Sequence, residues 1–503
     1  MRCAFATRPL ALVALTASTA CTAPAPKPPP PAPVAEVKPE VDPAALCTVK
    51  AEIDDAASRL RLAELRAKLE HEAPADRAAQ FGALLAIQNE QDRFHAFHND
   101  GVAHPDSAVG PLGECFVYAA WKMGDQASGR CQMADERLKG AAIVDVARAE
   151  LNRRKGALDA AQTLVDNALS VDNGCAAALI EGARIQEARA DKDKALSSWE
   201  RARQAWPQCY LCAVEAAKLT EASTGKGAAV PLWEAALKLQ PDSPEALKRY
   251  GAALAGVDDK SALEAYERAI AAGSHDVATF MGAAQLAGAD VDKGIAFAEQ
   301  AAKAQPNEID AWRMVLALSL KRQSVEKGDP AREVAAAKEI LRLVDEDLPS
   351  LLVLARDART TGNLVDAVLR FDAAERAIAA GRTGTLDAAA LEAAKKEHAS
   401  LLGELKVDDK PARGNASYVI WTVQKTVQGL FADRVRKMAA QKKVLKGSIE
   451  VAVNVSESGS VDEVDIVKDT LGDSPVTASV VANLRRSSIT GGAKRYSFQM
   501  DFQ

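Results

Sequence analysis

Aromatic residues are scarce in this chain, and its net charge is small. Phe, Trp and Tyr make up 5% of the 503 residues, although 48% of all residues are hydrophobic. A core built mainly from Ala, Leu and Val favours packed helices with small residues at their contacts. The formal net charge of −6 argues against nucleic-acid binding, which requires a basic surface. The length predicts about two or three domains.

Long uncharged apolar stretches are also missing, and the one apolar run near the N-terminus is too short to span a bilayer. Arg2 and Arg8 flank the start of this run, and small residues follow it up to Ala20. This pattern predicts an export signal peptide over residues 1–20. The cleavage region resembles a bacterial lipobox, which implies lipid attachment at Cys21 and, with Thr22 next, sorting to the outer membrane. Cleavage near Ala20 without lipidation, giving a secreted or periplasmic protein, is the alternative.

Residues 21–44 are rich in proline, which keeps a chain extended and unfavourable for packing. We predict a linker there that holds the folded part away from the membrane.

Cysteine is used sparingly, and its placement predicts disulfides. Without Cys3 and Cys21, an even set remains in a chain predicted to be exported, which is compatible with disulfide bonds. The set is Cys47, Cys115, Cys131, Cys175, Cys209 and Cys212. Cys115 and Cys131 are predicted to form a local bridge, and the other pairings stay open. The CxxC motif of Cys209 and Cys212 lies in helical surroundings, which favours a structural disulfide or buried thiols over redox catalysis.

The chain lacks a nucleophile–base pair, a glycine-rich phosphate loop and a carboxylate dyad, so we predict no enzyme activity and no cofactor. His95 and His98 share a helical offset, and Asp100, His104 and Asp106 lie close by. No outer-ligand pattern accompanies them, so surface histidines are favoured over a metal site.

What the chain does contain is an internal repeat of 34 residues that shortens to 33 and then 32. Each unit carries a small residue, a larger residue four positions later, a second small residue three later, and a closing turn residue. The small residues are Ala161, Ala195, Ala229, Ala262 and Gly294, and then Ala168, Ala202, Ala236, Ala269 and Ala301. The larger positions are Val165, Trp199, Trp233, Tyr266 and Ala298. The closing positions are Asn173, Pro207, Pro241, Ser274 and Pro306.

Offsets of four and three place these residues on one helical face, and the closing prolines end the helix. Six residues further on, a second helix carries Leu179, Leu247, Phe280 or Trp312. Each unit is therefore a helical hairpin that buries its apolar face only by stacking on its neighbours.

This pattern resembles the tetratricopeptide repeat family from about residue 141 to 320. It weakens over 320–350 and returns with Ala367, Phe371 and Ala374, so the number of units stays open. The resemblance implies an α-solenoid over 141–405 whose concave surface binds a protein segment. A spacer or a dimerisation surface is the alternative.

Residues 45–140 are predicted to be helical, as a degenerate repeat pair or a capping subdomain, with one helix covering 45–73. After residue 415 the periodicity changes. A helix is predicted to precede a hairpin with Ile449, Val451, Val453 and Val455 on one face. A second helix follows, with Ser474 as its cap, and a last strand carries Tyr496 to Phe502.

This order resembles the TonB C-terminal domain family, especially its gliding-motility variant, over residues 415–503. The residues on which this resemblance rests are Gly447, Gly459, Val461, Val464, Leu471, Val476, Leu484, Phe498 and Phe502. The resemblance implies contact with periplasmic protein partners, often by strand addition. The basic run near residues 434–446 is expected to meet an anionic partner or the cell wall, or to be a solvated helix end.

Together these features predict a mostly α fold: a solenoid of helical hairpins plus a small α+β domain. The predicted function is a non-enzymatic outer-membrane lipoprotein that faces the periplasm and serves as a protein-interaction scaffold. The alternative is a component of an energy-transducing or gliding-motility system.

Overall fold

A computed structural model describes residues 41–72, 76–288, 290–323, 329–384 and 386–503. The predicted signal peptide, Cys21 and most of the proline-rich segment lie outside these residues. The described part contains 23 helices and five short or medium strands, which is the predicted mostly α fold. None of the described helices combines the length and apolar character that a bilayer crossing requires.

Four helices form the N-terminal region: α1 (Pro43–Ser58), α2 (Leu62–Glu72), α3 (Arg77–Leu85) and α4 (Glu90–Ala103). The expectation of one helix over 45–73 is wrong, because the chain turns sharply at Leu60, whose φ is +58°. Helix α4 contains His95, His98 and Asp100, and His104 follows its last residue.

Helices α5 to α20 pair into eight consecutive hairpins within the described residues. The first helices of the pairs are α5 (Val109–Ala120), α7 (Ala142–Arg154), α9 (Ala176–Ala188), α11 (Tyr210–Ser223), α13 (Pro244–Leu254), α15 (Val277–Leu286), α17 (Ile309–Gln323) and α19 (Leu348–Thr360). The second helices are α6 (Gly124–Leu138), α8 (Leu158–Val171), α10 (Lys192–Ala205), α12 (Lys226–Leu239), α14 (Asp259–Ala271), α16 (Val291–Ala304), α18 (Pro330–Leu343) and α20 (Leu364–Ala379). A single helix, α21 (Ala388–Glu404), follows and packs on α20.

The repeat positions explain this stacking. Trp199 and Trp233 are almost completely buried, as are the small residues before and after each of them. Small side chains let neighbouring helices approach closely while the large one fills the space between them. Tyr266 shows how close the approach is, since a Cβ on Gly282 would lie 2.5 Å from its ring carbon Cζ.

Hairpin stacking begins earlier than the predicted start at residue 141. In α6, Ala127, Cys131 and Ala134 are fully buried and lie 34 residues before Ala161, Val165 and Ala168. A cysteine at the position of the large residue hid this unit.

Three disulfides staple this part of the chain. Cys115 in α5 pairs with Cys131 in α6, as predicted for a local bridge. Cys209 pairs with Cys212 at the start of α11, and Cys47 in α1 pairs with Cys175 at the start of α9. The last bond spans 128 residues and joins the N-terminal region to the array.

The C-terminal domain has the predicted order of elements. Helix α22 (Ala416–Ala440) is followed by β2 (Gly447–Val455), β3 (Val461–Asp469), α23 (Ser474–Arg486) and β5 (Lys494–Phe502). The antiparallel sheet has the order β3-β2-β5, and two short strands, β1 (Arg413–Gly414) and β4 (Ser488–Ile489), pair separately in parallel. The valines of β2, with Met500 and Phe502, form one core with α22 and α23.

The start of α23 differs from the prediction and connects the two domains. Asp473, not Ser474, caps the helix by accepting a hydrogen bond from the Val476 nitrogen. The Ser474 hydroxyl instead donates to the Gly362 carbonyl at 2.8 Å and accepts from the Leu364 nitrogen. The domain therefore docks on the last hairpin.

Candidate protein-binding surface

The first helix of each hairpin presents its second and fifth residues to one continuous face of the array. In α7, α9 and α11 these positions include Ile143, Val146, Ile180, Leu211 and Val214, all of which are buried. We call this surface the covered groove, because helix α1 lies across it. Leu46, Ala51 and Ile53 of α1 belong to the same apolar core as four of these residues.

Charged contacts fix the position of α1 in the covered groove. The Asp54 carboxylate lies 3.1 Å from Arg184 of α9, and the Lys50 ammonium lies 3.8 Å from Glu150 of α7. Burial alone would raise the pKa of Asp54, but Arg184 and Lys50 outweigh it and hold the pKa below its usual value. Asp54 is therefore ionised near neutral pH and binds α9 through a partly buried ion pair.

Glu181 belongs to the same network on α9. Burial and the nearby Glu150 raise the pKa of Glu181 to about 6, although Arg153 donates to its carboxylate at 2.5 Å. Arg153 and Arg184, both on the array, offset part of this rise.

The far end of α1 is bound through backbone groups. Asp55 accepts from the Leu211 nitrogen at 2.7 Å, and Arg59 donates to the carbonyls of Gln208 and Leu239. The Arg59 guanidinium also lies 5.1 Å from the centre of the Tyr210 ring, within cation–π range. These contacts cover the α11 end of the covered groove.

The equivalent positions in α13, α15 and α17 carry mainly polar residues and one methionine. No helix of the described residues covers them. They include Glu245, Lys248, Met281, Asp310 and Arg313, which are exposed or half-buried. We call this part the open groove.

The open groove contains a cleft of about 580 Å³ between α15, α17 and the start of α19. Met281, Met314 and Leu320 supply its apolar wall. At its rim Arg313 forms an ion pair with Asp347 at 3.1 Å. The volume is within the usual range of ligand pockets, and methionine side chains adapt to varied apolar groups.

The chain matches no protein-family model and no curated protein. Solved structures share part of its fold at low identity. PilF of Pseudomonas aeruginosa is 15% identical, with a TM-score of 0.34, over 47% of this chain and 99% of that one. A tetratricopeptide repeat protein from Cytophaga hutchinsonii is 13% identical, with a TM-score of 0.37, over 48% and 99%. YrrB, described as a TPR protein with an unusual peptide-binding site, is 15% identical, with a TM-score of 0.26, over 44% and 95%.

The repeat-defining residues lie inside the array, not on the groove. Trp199, Ala202, Trp233, Ala236, Tyr266 and Ala269 are buried, whereas Pro207 and Pro241 lie in exposed turns after α10 and α12. Trp312 is half-buried, and its indole nitrogen donates to the Pro306 carbonyl. The buried members of this set build the scaffold and are not available to a partner.

A second cluster of titratable groups lies where α20, α21 and α23 meet. The buried ring of His398 has Nδ1 3.1 Å from Glu375 and Nε2 3.3 Å from Asp372, and it stacks on Phe371. Burial disfavours the charged ring, but the two carboxylates outweigh it and raise the pKa of His398 to about 9. Arg485 of α23 lies 3.7 Å from Asp372.

These three residues have the chemistry of metal ligands, but their arrangement fits a protonated histidine better. The two carboxylates face opposite ring nitrogens, which suits an imidazolium that points one N–H toward each, although one ligand atom from each of the three residues also lies within 4.8 Å of the others. An imidazolium between two carboxylates needs no further ligand. The cluster therefore connects the last hairpin, α21 and the C-terminal domain.

The histidines named from the sequence lie on α4 and at its end. His95 and His104 are exposed, and His98 lies 3.1 Å from the buried Glu114 of α5. Sequence patterns did not reveal His398, because its two partners are far from it along the chain. The groove residues were detectable, since apolar side chains recur at the second and fifth positions of α7, α9 and α11.

Proposed function

We propose that this protein is a non-enzymatic scaffold of the cell envelope that binds one protein partner in the open groove and another through its C-terminal domain. The observation that carries the proposal is the contrast between the two parts of the groove. Helix α1 fills the covered groove, whereas the open groove ends in an uncovered apolar cleft.

The cleft favours a segment with one or two apolar side chains. Met281, Met314 and Leu320 would surround such a side chain, and burying it would supply most of the binding free energy. Asp310 and Arg313 at the rim carry opposite charges, so they favour a particular direction of the bound segment.

An envelope location is supported by two features. The N-terminal 21 residues have the pattern of a lipoprotein signal, with Cys21 as the attachment site and residues 21–44 as tether. The three disulfides of the described residues are typical of proteins that fold in an oxidising compartment. We propose the periplasmic face of the outer membrane.

The C-terminal domain offers its own surface to a second envelope partner. Strand β5 lies at an edge of the sheet, where an added strand would find free backbone groups. Tyr418 and Trp421 of α22 are adjacent and 51% and 58% exposed, and Lys425 lies over the Trp421 ring. Exposed aromatic rings of this kind are frequent anchors in protein interfaces.

A role in TonB-type energy transduction or gliding motility is the second candidate, favoured by the order of elements from α22 to β5. Transduction of this kind requires an inner-membrane location. Fractionation of the envelope distinguishes the two, because outer-membrane recovery contradicts transduction and inner-membrane recovery contradicts the scaffold proposed here.

Site-specific photocrosslinking in intact cells tests the open groove. A photoreactive amino acid at Met281 or Met314 is expected to capture a defined protein, and the same probe at Gln300, exposed on α16, is the matched control. Adding Ala317→Trp, which fills the cleft, should abolish the crosslink. Equal capture from Gln300, or capture unaffected by Ala317→Trp, would contradict binding in the cleft. Repeating the experiment without residues 415–503 shows whether capture in the open groove depends on the C-terminal domain.

A further inference from the structure

At the connection between α1 and α2, the local sequence favours a continuous helix, whereas the chain turns in the structure. The sequence from Ala44 to Ala73 contains neither Gly nor Pro, and Arg59, Leu60 and Arg61 favour a helix. The structure nevertheless turns there, with Leu60 in the left-handed region at φ +58° and its side chain 92% exposed. A left-handed conformation is unfavourable for a residue with a Cβ. Local hydrogen bonds close this turn, from the nitrogens of Leu60 and Arg61 to the carbonyls of Ala57 and Ala56, and the contacts of α1 with the covered groove hold it in place.

Helix α1 is attached more firmly to that groove than to the helix that follows it. Its apolar side chains, Asp54, Asp55 and Arg59 all contact the array, and the Cys47–Cys175 bond ties it to α9. Among its described side chains, residues 62–71, α2 has none that is buried. Leu62 and Leu65 of α2 pack against the edge of the core that contains α1, but α2 packs mainly on α3, so straightening the turn at Leu60 would sacrifice little packing between α1 and α2.

A groove that recognises α1 of its own chain recognises α1 of a second copy equally well. We propose that this protein forms an exchanged dimer, in which α1 and α2 become one continuous helix and each α1 fills the covered groove of the other copy. Every contact of α1 with the groove is regained, and the left-handed conformation at Leu60 is relieved in both chains. The Cys47–Cys175 bond prevents the exchange until it is opened.

Opening this bond requires a thiol but no net oxidation. A thiolate, such as that of glutathione, attacks one sulfur of the Cys47–Cys175 bond, forming a mixed disulfide and releasing the other sulfur as thiolate. After the helices exchange, the thiolate of one copy attacks the mixed disulfide of the other and expels the small thiol. Two bonds within chains are replaced by two bonds between chains.

The test uses the full chain with Cys3→Ser and Cys21→Ser, so that the only remaining cysteines are the six that form the three disulfide bonds. Nitrogen-15-labelled and unlabelled chains are mixed at high concentration in a buffer of reduced and oxidised glutathione. We expect a species of twice the monomer mass on a non-reducing gel. Mass spectrometry should find labelled Cys47 peptides joined to unlabelled Cys175 peptides.

Leu60→Gly and Leu60→Ala are the matched variants, because neither removes a packed side chain. Glycine accepts the left-handed turn and disfavours a continuous helix, so it should lower the dimerisation constant about tenfold or more. Alanine keeps the unfavourable turn and should dimerise at least as well as the original chain. Cys115→Ser with Cys131→Ser should leave dimerisation unchanged.

Three results would overturn the proposal. They are a monomer under all conditions for both the original chain and Leu60→Ala, equal dimerisation of Leu60→Gly and Leu60→Ala, and a covalent dimer that persists after Cys47→Ser.

Discussion

The Asp55 carboxylate of α1 accepts a 2.7 Å hydrogen bond from the backbone nitrogen of Leu211, the second residue of α11. Asp55 therefore caps a helix that lies 156 residues further along the chain. The first nitrogens of a helix have no partner within it, and the helix dipole favours a carboxylate there. This contact makes α1 part of the array while it excludes other segments from the covered groove.

Asp55→Ala should lower the free energy of unfolding by about 1–3 kcal/mol, because the buried Leu211 nitrogen loses its acceptor. Asp55→Asn should cost less, since the amide oxygen still accepts this hydrogen bond. Urea denaturation measures both, and Asp191→Ala, which removes an exposed cap on α10, is the control. Equal losses for Asp55→Ala and Asp55→Asn would argue against the capping role.

The three disulfides should differ in their contribution to stability. Their residues are separated by 128, 16 and 3 positions, so loss of loop closure predicts costs of about 5, 3 and 2 kcal/mol on replacing each pair by serine. Denaturation of the three double variants gives the order. A smaller effect of removing Cys47–Cys175 than of removing Cys115–Cys131 would indicate that α1 adds little to the fold.

The two buried tryptophans of the repeat provide a matched pair. The Trp199 indole nitrogen donates to Glu187 at 2.9 Å, whereas the buried Trp233 nitrogen has no hydrogen-bond partner in the described structure. Trp199→Phe should therefore be costlier than Trp233→Phe by about 1 kcal/mol, because only the first loses a hydrogen bond. Thermal denaturation measures the difference, and the reverse order would show that the Trp233 nitrogen is bonded in solution.

His398 should make the junction between the array and the C-terminal domain sensitive to alkaline pH. The pKa is about 9 in the folded protein and about 6.5 without its partners, so the contribution is complete below pH 6.5 and lost as pH rises through 9. Its size is at most about 3 kcal/mol. His398→Gln should remove this dependence and His275→Gln, at an exposed site, should not. Hydrogen exchange of α21 across this pH range checks it, and identical profiles would exclude the effect.

The repeats could be predicted from the sequence because equivalent helices of successive hairpins pack against equivalent neighbouring helices. The pattern of a small, a large and a second small residue at fixed offsets determines where neighbouring helices touch. All of these positions are buried from Val165 to Ala301. In α18 the pattern was lost, because Glu333 and Ile340 occupy the positions that hold small residues elsewhere. Stacking persists there through Ala336, Ala337 and Ile340.

The placement of α1 could not be predicted from its own sequence. Its pattern is that of a helix continuing into α2, and the distant partners Cys175, Arg184 and Leu211 hold it in its folded-back position. The junction at His398 was hidden for the same reason, since its partners Asp372 and Glu375 lie on another helix, α20. Local periodicity determines helices, whereas these two features depend on contacts between distant segments.

The central claim is that the partner binds the open groove and leaves the covered groove to α1. Hydrogen exchange of the full chain, with and without the protein captured through Met314, tests it most directly. The account predicts slower exchange in α15, α17 and the start of α19 when the partner is bound, with α7, α9 and α11 unchanged. Slower exchange in α7, α9 and α11, together with faster exchange in α1, would contradict it.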